Sequence, residues 1–293
     1  MPTAKTLKFM RNTYIIITLS SLFLLLSTTG RAQYFELGVM GGISAYQGDL
    51  LEKNVSTSNA HMAGGAFFRY DRSRIALRAS LNYGTISGDD AVALDNDRRI
   101  RNLSFRSRIA EFSGIFELNL FKFEQNTFRK SKHSHPFTPV VFAGISMFRF
   151  NPKAFYHNEW VALQPLSTEG QGASRAYGAP KKYSLTQIAF PLGFGFKYNL
   201  SPKMNLGFEV GARVTMTDYL DDVSGNFIDR ESSSINVLTS QLTDRSGEVT
   251  PTGIYVFRAG DPRGNPAKKD SYYFAGMTLS VVIPARQMRC FRF

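Results

Sequence analysis

Between Ile188 and Thr217 the chain places two kinds of residue at alternate positions. Ile188, Phe190, Leu192, Phe194, Phe196 and Tyr198 alternate with Gln187, Ala189, Pro191, Gly193, Gly195 and Lys197. The segment Asn199-Leu200-Ser201-Pro202-Lys203 interrupts with turn chemistry. Leu206, Phe208, Val210, Ala212, Val214 and Met216 then alternate with Gly207, Glu209, Gly211, Arg213, Thr215 and Thr217. A period of two predicts strands, and the short break predicts an antiparallel hairpin. Strands of soluble proteins usually run about 5–6 residues. These run about ten, the length that crosses a bilayer at a tilt. An apolar, aromatic face set against a small, polar or charged one is the pattern of a transmembrane barrel strand.

Six further segments follow the rule. They start near Phe35, Met62, Ile75, Ala110, Val140 and Tyr272, and the one from Val140 to Phe150 is apolar on both sides, so its facing is open. The sequence therefore predicts an all-β fold, an eight-stranded antiparallel outer-membrane barrel. The connections after strands two and six are short, the one from Lys122 to Pro136 is moderate, and those after strands one, three, five and seven are long. That sorting predicts periplasmic turns at one end and extracellular loops at the other.

Lys5, Lys8 and Arg11 precede an apolar run from Tyr14 to Leu26, with Gly30 and Ala32 placed for signal-peptidase cleavage before Gln33. Residues 1–32 thus read as a Sec export signal and 33–293 as the barrel domain. Losing the signal removes four of 35 basic residues and none of the 23 acidic ones, leaving a charge of +8. An exported basic chain meets lipid phosphates, so outer-membrane lipids and lipopolysaccharide are expected partners and nucleic acid is not. With Cys290 as its one cysteine the chain has no internal disulfide framework.

The polar face carries charges that a closed lumen would have to pair. Glu36, Glu111, Glu117 and Glu209 match Arg69, Arg78, Lys197 and Arg213 in number. An eight-stranded barrel has just enough interior for side chains, which predicts a plugged barrel.

The long loops hold the most particular blocks: Asn151-Pro152-Lys153-Ala154, Trp160-Val161-Ala162-Leu163-Gln164-Pro165-Leu166-Ser167-Thr168-Glu169-Gly170-Gln171-Gly172, and Thr217-Asp218-Tyr219-Leu220-Asp221-Asp222-Val223-Ser224-Gly225. With Tyr46-Gln47-Gly48-Asp49-Leu50 after the first strand, they resemble the PorG-like family, an outer-membrane barrel component of the type IX secretion and gliding apparatus of Bacteroidota. The resemblance implies a non-enzymatic part of a protein secretion machine. Its implied partners are the lipoprotein of a periplasmic ring and that protein's companion, held to the outer membrane.

The residues read by themselves leave other chemistry open. A small lipid-modifying barrel enzyme and a stand-alone barrel stabilising the envelope are the alternatives. No Ser–His–acid set can be assembled from spacing, and His133 and His135 read as part of a solvated turn. Asp218, Asp221 and Asp222 could hold Ca²⁺ but lack EF-hand spacing, and loop shaping accounts for them. No catalytic residue, cofactor or small-molecule substrate is expected. Arg98, Arg99 and Arg101 with Arg106 and Arg108 read either as a lipopolysaccharide contact or as a solvated basic loop. For docking, Phe123, Phe128, Arg129 and Lys130 in the turn from Lys122 to Pro136 offer aromatic anchors among cations.

Overall fold

The computed structural model describes residues 34–51, 59–123, 135–172, 180–232 and 235–284. The predicted signal segment lies outside them. Eight long strands close on themselves: β1 (Tyr34–Gln47), β2 (His61–Arg72), β3 (Ile75–Asp89), β4 (Ser104–Asn119), β5 (Phe137–Arg149), β8 (Thr186–Ser201), β9 (Met204–Thr215) and β10 (Ser271–Pro284). A short hairpin, β6 (Pro152–Tyr156) with β7 (Glu159–Ala162), stands on β4 at the long-loop end. Each barrel strand pairs antiparallel with its chain neighbour, and β1 pairs with β10 from Tyr34↔Pro284 to Gln47↔Ser271. Closure leaves no sheet edge unpaired, which is what allows strands to cross a bilayer.

The expected facing is what the strands show. Leu37, Val39, Phe68, Leu77, Leu81, Phe112, Phe116, Ile188, Phe194, Met277 and Val281 are all exposed outward, a belt for lipid. The facing left open on β5 resolves: Val141, Ile145 and Met147 point out, while Val140, Phe142 and Phe148 point in. Phe142 and Phe67 find room inside because glycines lie opposite them. A Cβ on Gly193 or Gly211 would meet the Phe142 ring at 2.6–2.8 Å, and one on Gly38 would meet Phe67. Both rings lie against guanidinium groups, Arg69 at 4.6 Å from Phe67 and Arg78 at 5.5 Å from each ring. The ladder between β5 and β8 lapses at Gly144 and Ile145, opposite Pro191, which has no N–H to donate.

The wall continues past the belt. On β3 and β4 the inward positions change from polar to apolar at about Gly84 and Ile109. Above that level Ile86, Phe105 and Ile109 face in, together with Tyr46, Phe148, Phe150, Leu220 and Leu242, as one core under the loops. Two short helices cover it, α1 (Asn96–Arg101), capped by Asp95, and α2 (Val237–Thr243), capped by Asn236.

Candidate functional site

The lumen brings all eight predicted charges into contact. In the lower part Glu117 is the hub: its carboxylate lies 3.0 Å from Arg69 Nε, 2.8 Å from Arg78 Nε and 2.8 Å from Lys197 Nζ. Arg69 also meets Glu36 at 2.6 Å, and Arg78 meets Glu209 at 2.6 Å. Higher up, Arg213 lies 3.3 Å from Glu111, which also accepts from Tyr272 and Asn82. Asp71, outside the set predicted to pair, accepts from Lys197 at 3.0 Å. Asn205 and Ser280 both donate to Glu36. The cavity beside Arg69, Glu117 and Lys197 is only about 10 Å³, at most room for a single water. The lumen is filled at this level by paired side chains.

The loop blocks converge in a second polar cluster, above the apolar core. Thr168 and Tyr183 donate to Asp222, each at 2.5 Å. Glu169 accepts the backbone N–H groups of Ser224 and Gly225 at 2.9 Å and pairs with Arg263 at 3.0 Å. Arg263 donates further to the carbonyls of Thr243 and Asp222. Its own carbonyl accepts from Arg101, which is also held by both oxygens of Asp90. Tyr46 donates to Asp221 at 2.6 Å and to Asp270 at 3.2 Å. Tyr219 stacks on Tyr183 at 4.7 Å, and Gln164 donates to the Tyr183 carbonyl. Gly170 takes φ +73°, which lets the loop turn into this cluster.

Burial governs the protonation of these acids. It pushes the carboxyl groups of Asp218 and Asp222 up to about 6, against the opposing effects of Ser224 at the first and Arg263 at the second. Asp221 and Asp270 are also raised well above the ordinary carboxylate range, by burial first and then by the acids around them. Among the described residues no group of His, Cys, Asp and Glu is arranged to hold a metal ion. Asp218 accepts from Ser224, and Asp221 and Asp222 are occupied by tyrosine and threonine hydroxyls.

Other predicted residues stand apart. Asn151 donates its N–H to Ser107 and Pro152 opens β6. Pro165 is exposed, and Trp160 sits on the outer side against Phe155. Two expectations need correction. Arg101 does not belong to an exposed basic run, because burial beneath the loops commits it to Asp90. Phe123 is not a surface anchor: it is fully buried, its N–H bonds to Ser73, and Lys197 lies 6.0 Å over its ring. Its companions Phe128, Arg129 and Lys130 lie outside the described residues, as do His133 and Cys290. Sequence reasoning singled out Lys181-Lys182-Tyr183 as part of the resemblance without a role for Tyr183, and missed Arg263, Asp270 and Asp90. Tyr46 and Asp49 did lie in a quoted block, but no spacing rule ties them to Asp221 or Asn265.

Known proteins add the following. No curated protein sequence matches the chain. The chain is similar to several solved structures. Neisserial surface protein A is 7% identical with a TM-score of 0.40, over 84% of this chain and 96% of that one. The outer membrane protein OprG from Pseudomonas aeruginosa is 9% identical with a TM-score of 0.38, over 87% and 97%. Ail, the attachment invasion locus protein of Yersinia pestis, is 6% identical with a TM-score of 0.37, over 87% and 100%. A family described as a domain of unknown function, DUF6089, matches residues 14–169, from the first segment through β1–β7 to Glu169 of the loop cluster. That match covers more than half of the chain, and the protein belongs to the DUF6089 family.

Proposed function

We propose that this barrel is a non-enzymatic component of the type IX protein secretion system, exported through the Sec pathway, that holds a periplasmic ring to the outer membrane. The observation that carries the reading is the use made of the polar residues. Glu117 and its partners fill the lumen, and Thr168, Glu169, Asp221 and Asp222 tie loops together. Side chains that transport or catalysis would need free are committed to one another. The secretion role itself is supported by the resemblance of the blocks around Trp160–Gly172 and Thr217–Gly225 to the PorG-like family.

A periplasmic ring of a lipoprotein and its companion can reach only the short-turn end. In this proposal it docks on the turn bearing Phe128, Arg129 and Lys130, with Phe123 as an internal support. The test replaces those three residues by Ser and keeps Phe123. Heat-modifiable migration on gels reports that the barrel still folds. Co-purification of periplasmic partners in mild detergent and secretion of cargo should both fall. If wild-type protein purifies without stable companions, the secretion reading fails. Wild-type levels of both in the triple variant would remove the turn as the docking surface.

A further inference from the structure

The outer wall just above the lipid belt carries four cations on one face. Arg106 and Arg108 are exposed on β4, Arg149 is exposed at the end of β5, and Lys153 is half-buried on β6. Arg149 pairs across from Ala110, and Lys153 from Arg106. Arg108, between Arg106 and Ala110 on the same face of β4, thus lies diagonal to both, at cross-strand spacings of about 7–8 Å. Among the described residues none of the four makes an ion pair. The neighbouring acid Asp89 accepts the N–H of Ala91 instead. Like charges side by side repel unless an anion lies among them.

Directly below this cluster the wall is hollowed. A groove of about 510 Å³ has Gly64 and Ala110 in its lining, flanked by Leu81, Tyr83, Phe112 and Met147, and Arg149 is at its rim. Register explains the hollow. Gly64, Tyr83, Ala110 and Arg149 form one outward row across four strands, with small residues at two of its places. Beside the cations, Phe155 and Trp160 meet half-exposed with their rings tilted at 54°, and Arg106 lies 5.6 Å over the Trp160 ring. Aromatic side chains at this height sit among lipid headgroups.

We propose that this wall binds a phosphorylated saccharolipid of the outer leaflet. Its phosphates lie on Arg106, Arg108, Arg149 and Lys153, and one acyl chain lies in the groove over Ala110. The cations lie on β4 and along one edge of it, where β5 and then β6 pair, so they extend along the strands: four residues separate the level of Arg149 from that of Lys153, roughly 13 Å at about 3.4 Å per residue. That span suits two phosphates on a sugar headgroup and exceeds the single phosphate of a glycerophospholipid. The long-loop end faces the leaflet where such lipids reside.

The test uses the full-length protein in detergent, with native mass spectrometry and titration against bisphosphorylated lipid A, its dephosphorylated form and phosphatidylglycerol. Wild type should bind bisphosphorylated lipid A at least about ten-fold tighter than either of the others. Arg108→Gln with Arg149→Gln should lose that ten-fold preference, and Ala110→Trp should weaken lipid A while leaving pyrophosphate binding as it was. Lys268→Gln with Lys269→Gln, exposed elsewhere at the same end, serves as the control and should bind as wild type. Heat-modifiable migration confirms that each variant folds. Equal affinity for phosphatidylglycerol, retention of binding by the dephosphorylated lipid, or unchanged binding in the Arg108/Arg149 pair would each overturn the proposal.

Discussion

Along β4, the stretch from Phe112 to Leu118 sends Phe112, Phe116 and Leu118 outward and Ser113 and Glu117 inward. The stretch from Phe105 to Ile109 does the opposite, with Arg106 and Arg108 outside and Phe105 and Ile109 inside. β3 changes at the same height, from Leu81 out and Arg78 in, to Thr85 out and Ile86 in. One continuous wall therefore encloses two interiors of opposite polarity. In the belt the outside is lipid, apolar groups gain nothing by hiding, and the charges must satisfy one another within. Above it the outside is polar, headgroups and then water, and the apolar side chains turn inward as they do in soluble proteins. Between β3 and β4 the register never slips; the surroundings change.

The comparison can be broken most directly at the hub of the lower interior. Glu117→Ala strands Arg69, Arg78 and Lys197 without their shared partner, and should cost about 3–5 kcal/mol. Urea unfolding from lipid vesicles measures it. A cost below 1 kcal/mol would mean that water reaches the lumen and screens these charges. The outward face gives a sharper contrast on a single strand. Leu81→Arg puts a charge in the belt and should cost roughly 2–4 kcal/mol, whereas Thr85→Arg, four residues on and facing the same way, should change stability by no more than about 0.5 kcal/mol. Equal effects in the same vesicles would place the boundary of the lipid at a different height.

The smallest effect separates the interiors by pH. Asp218 and Asp222 hold their protons up to about 6 in the fold, above the ordinary carboxylate range. Their folded form binds the proton more tightly than the unfolded chain does, so the loop cluster is more stable in acid and loses stability as pH rises through about 6. Amide exchange at Val223 and Ser224 should accelerate between pH 5 and pH 7, after correction for intrinsic chemistry, by more than exchange within β8 and β9. Asp222→Asn, which removes one of the two titrating groups, should reduce that difference, and adding Asp218→Asn should flatten it. The reconstituted protein should also pass no steady single-channel current, since the lower interior leaves no continuous path; regular steps in planar bilayers would contradict the pairing around Glu117.

Much of the lower barrel was legible because lipid enforces the period-two pattern residue by residue. The strand starts, the closure and the charges of Glu36, Arg69, Arg78 and Lys197 all follow from it. Val140–Phe150 was ambiguous because Phe142 and Phe148 are accommodated inside, one over Gly193 and Gly211, so both its faces are apolar. The upper part was hidden by the inversion itself: Phe105 and Ile109 break the outward pattern at the height where the wall continues, so the strands read as ending early. The loop cluster was legible only as separate blocks. Asp222 meets Thr168 across 54 positions and Tyr46 meets Asp270 across 224, and no local propensity joins residues so far apart.

The bonds of Tyr46 set a direction for how the barrel can open. Tyr46 lies near the end of the first strand and Asp270 immediately before the last, so Tyr46–Asp270 and Asp49–Asn265 straddle the one place where the sheet is joined by strands from opposite ends of the chain. A chain lacking β10 cannot make this clasp, and the finished barrel cannot part there from the loop side without first breaking it. Separation of β1 from β10 must then start at Tyr34 and Pro284 and run toward the loops. The join behaves as a zip fastened at its upper end, completed only when the last strand has arrived.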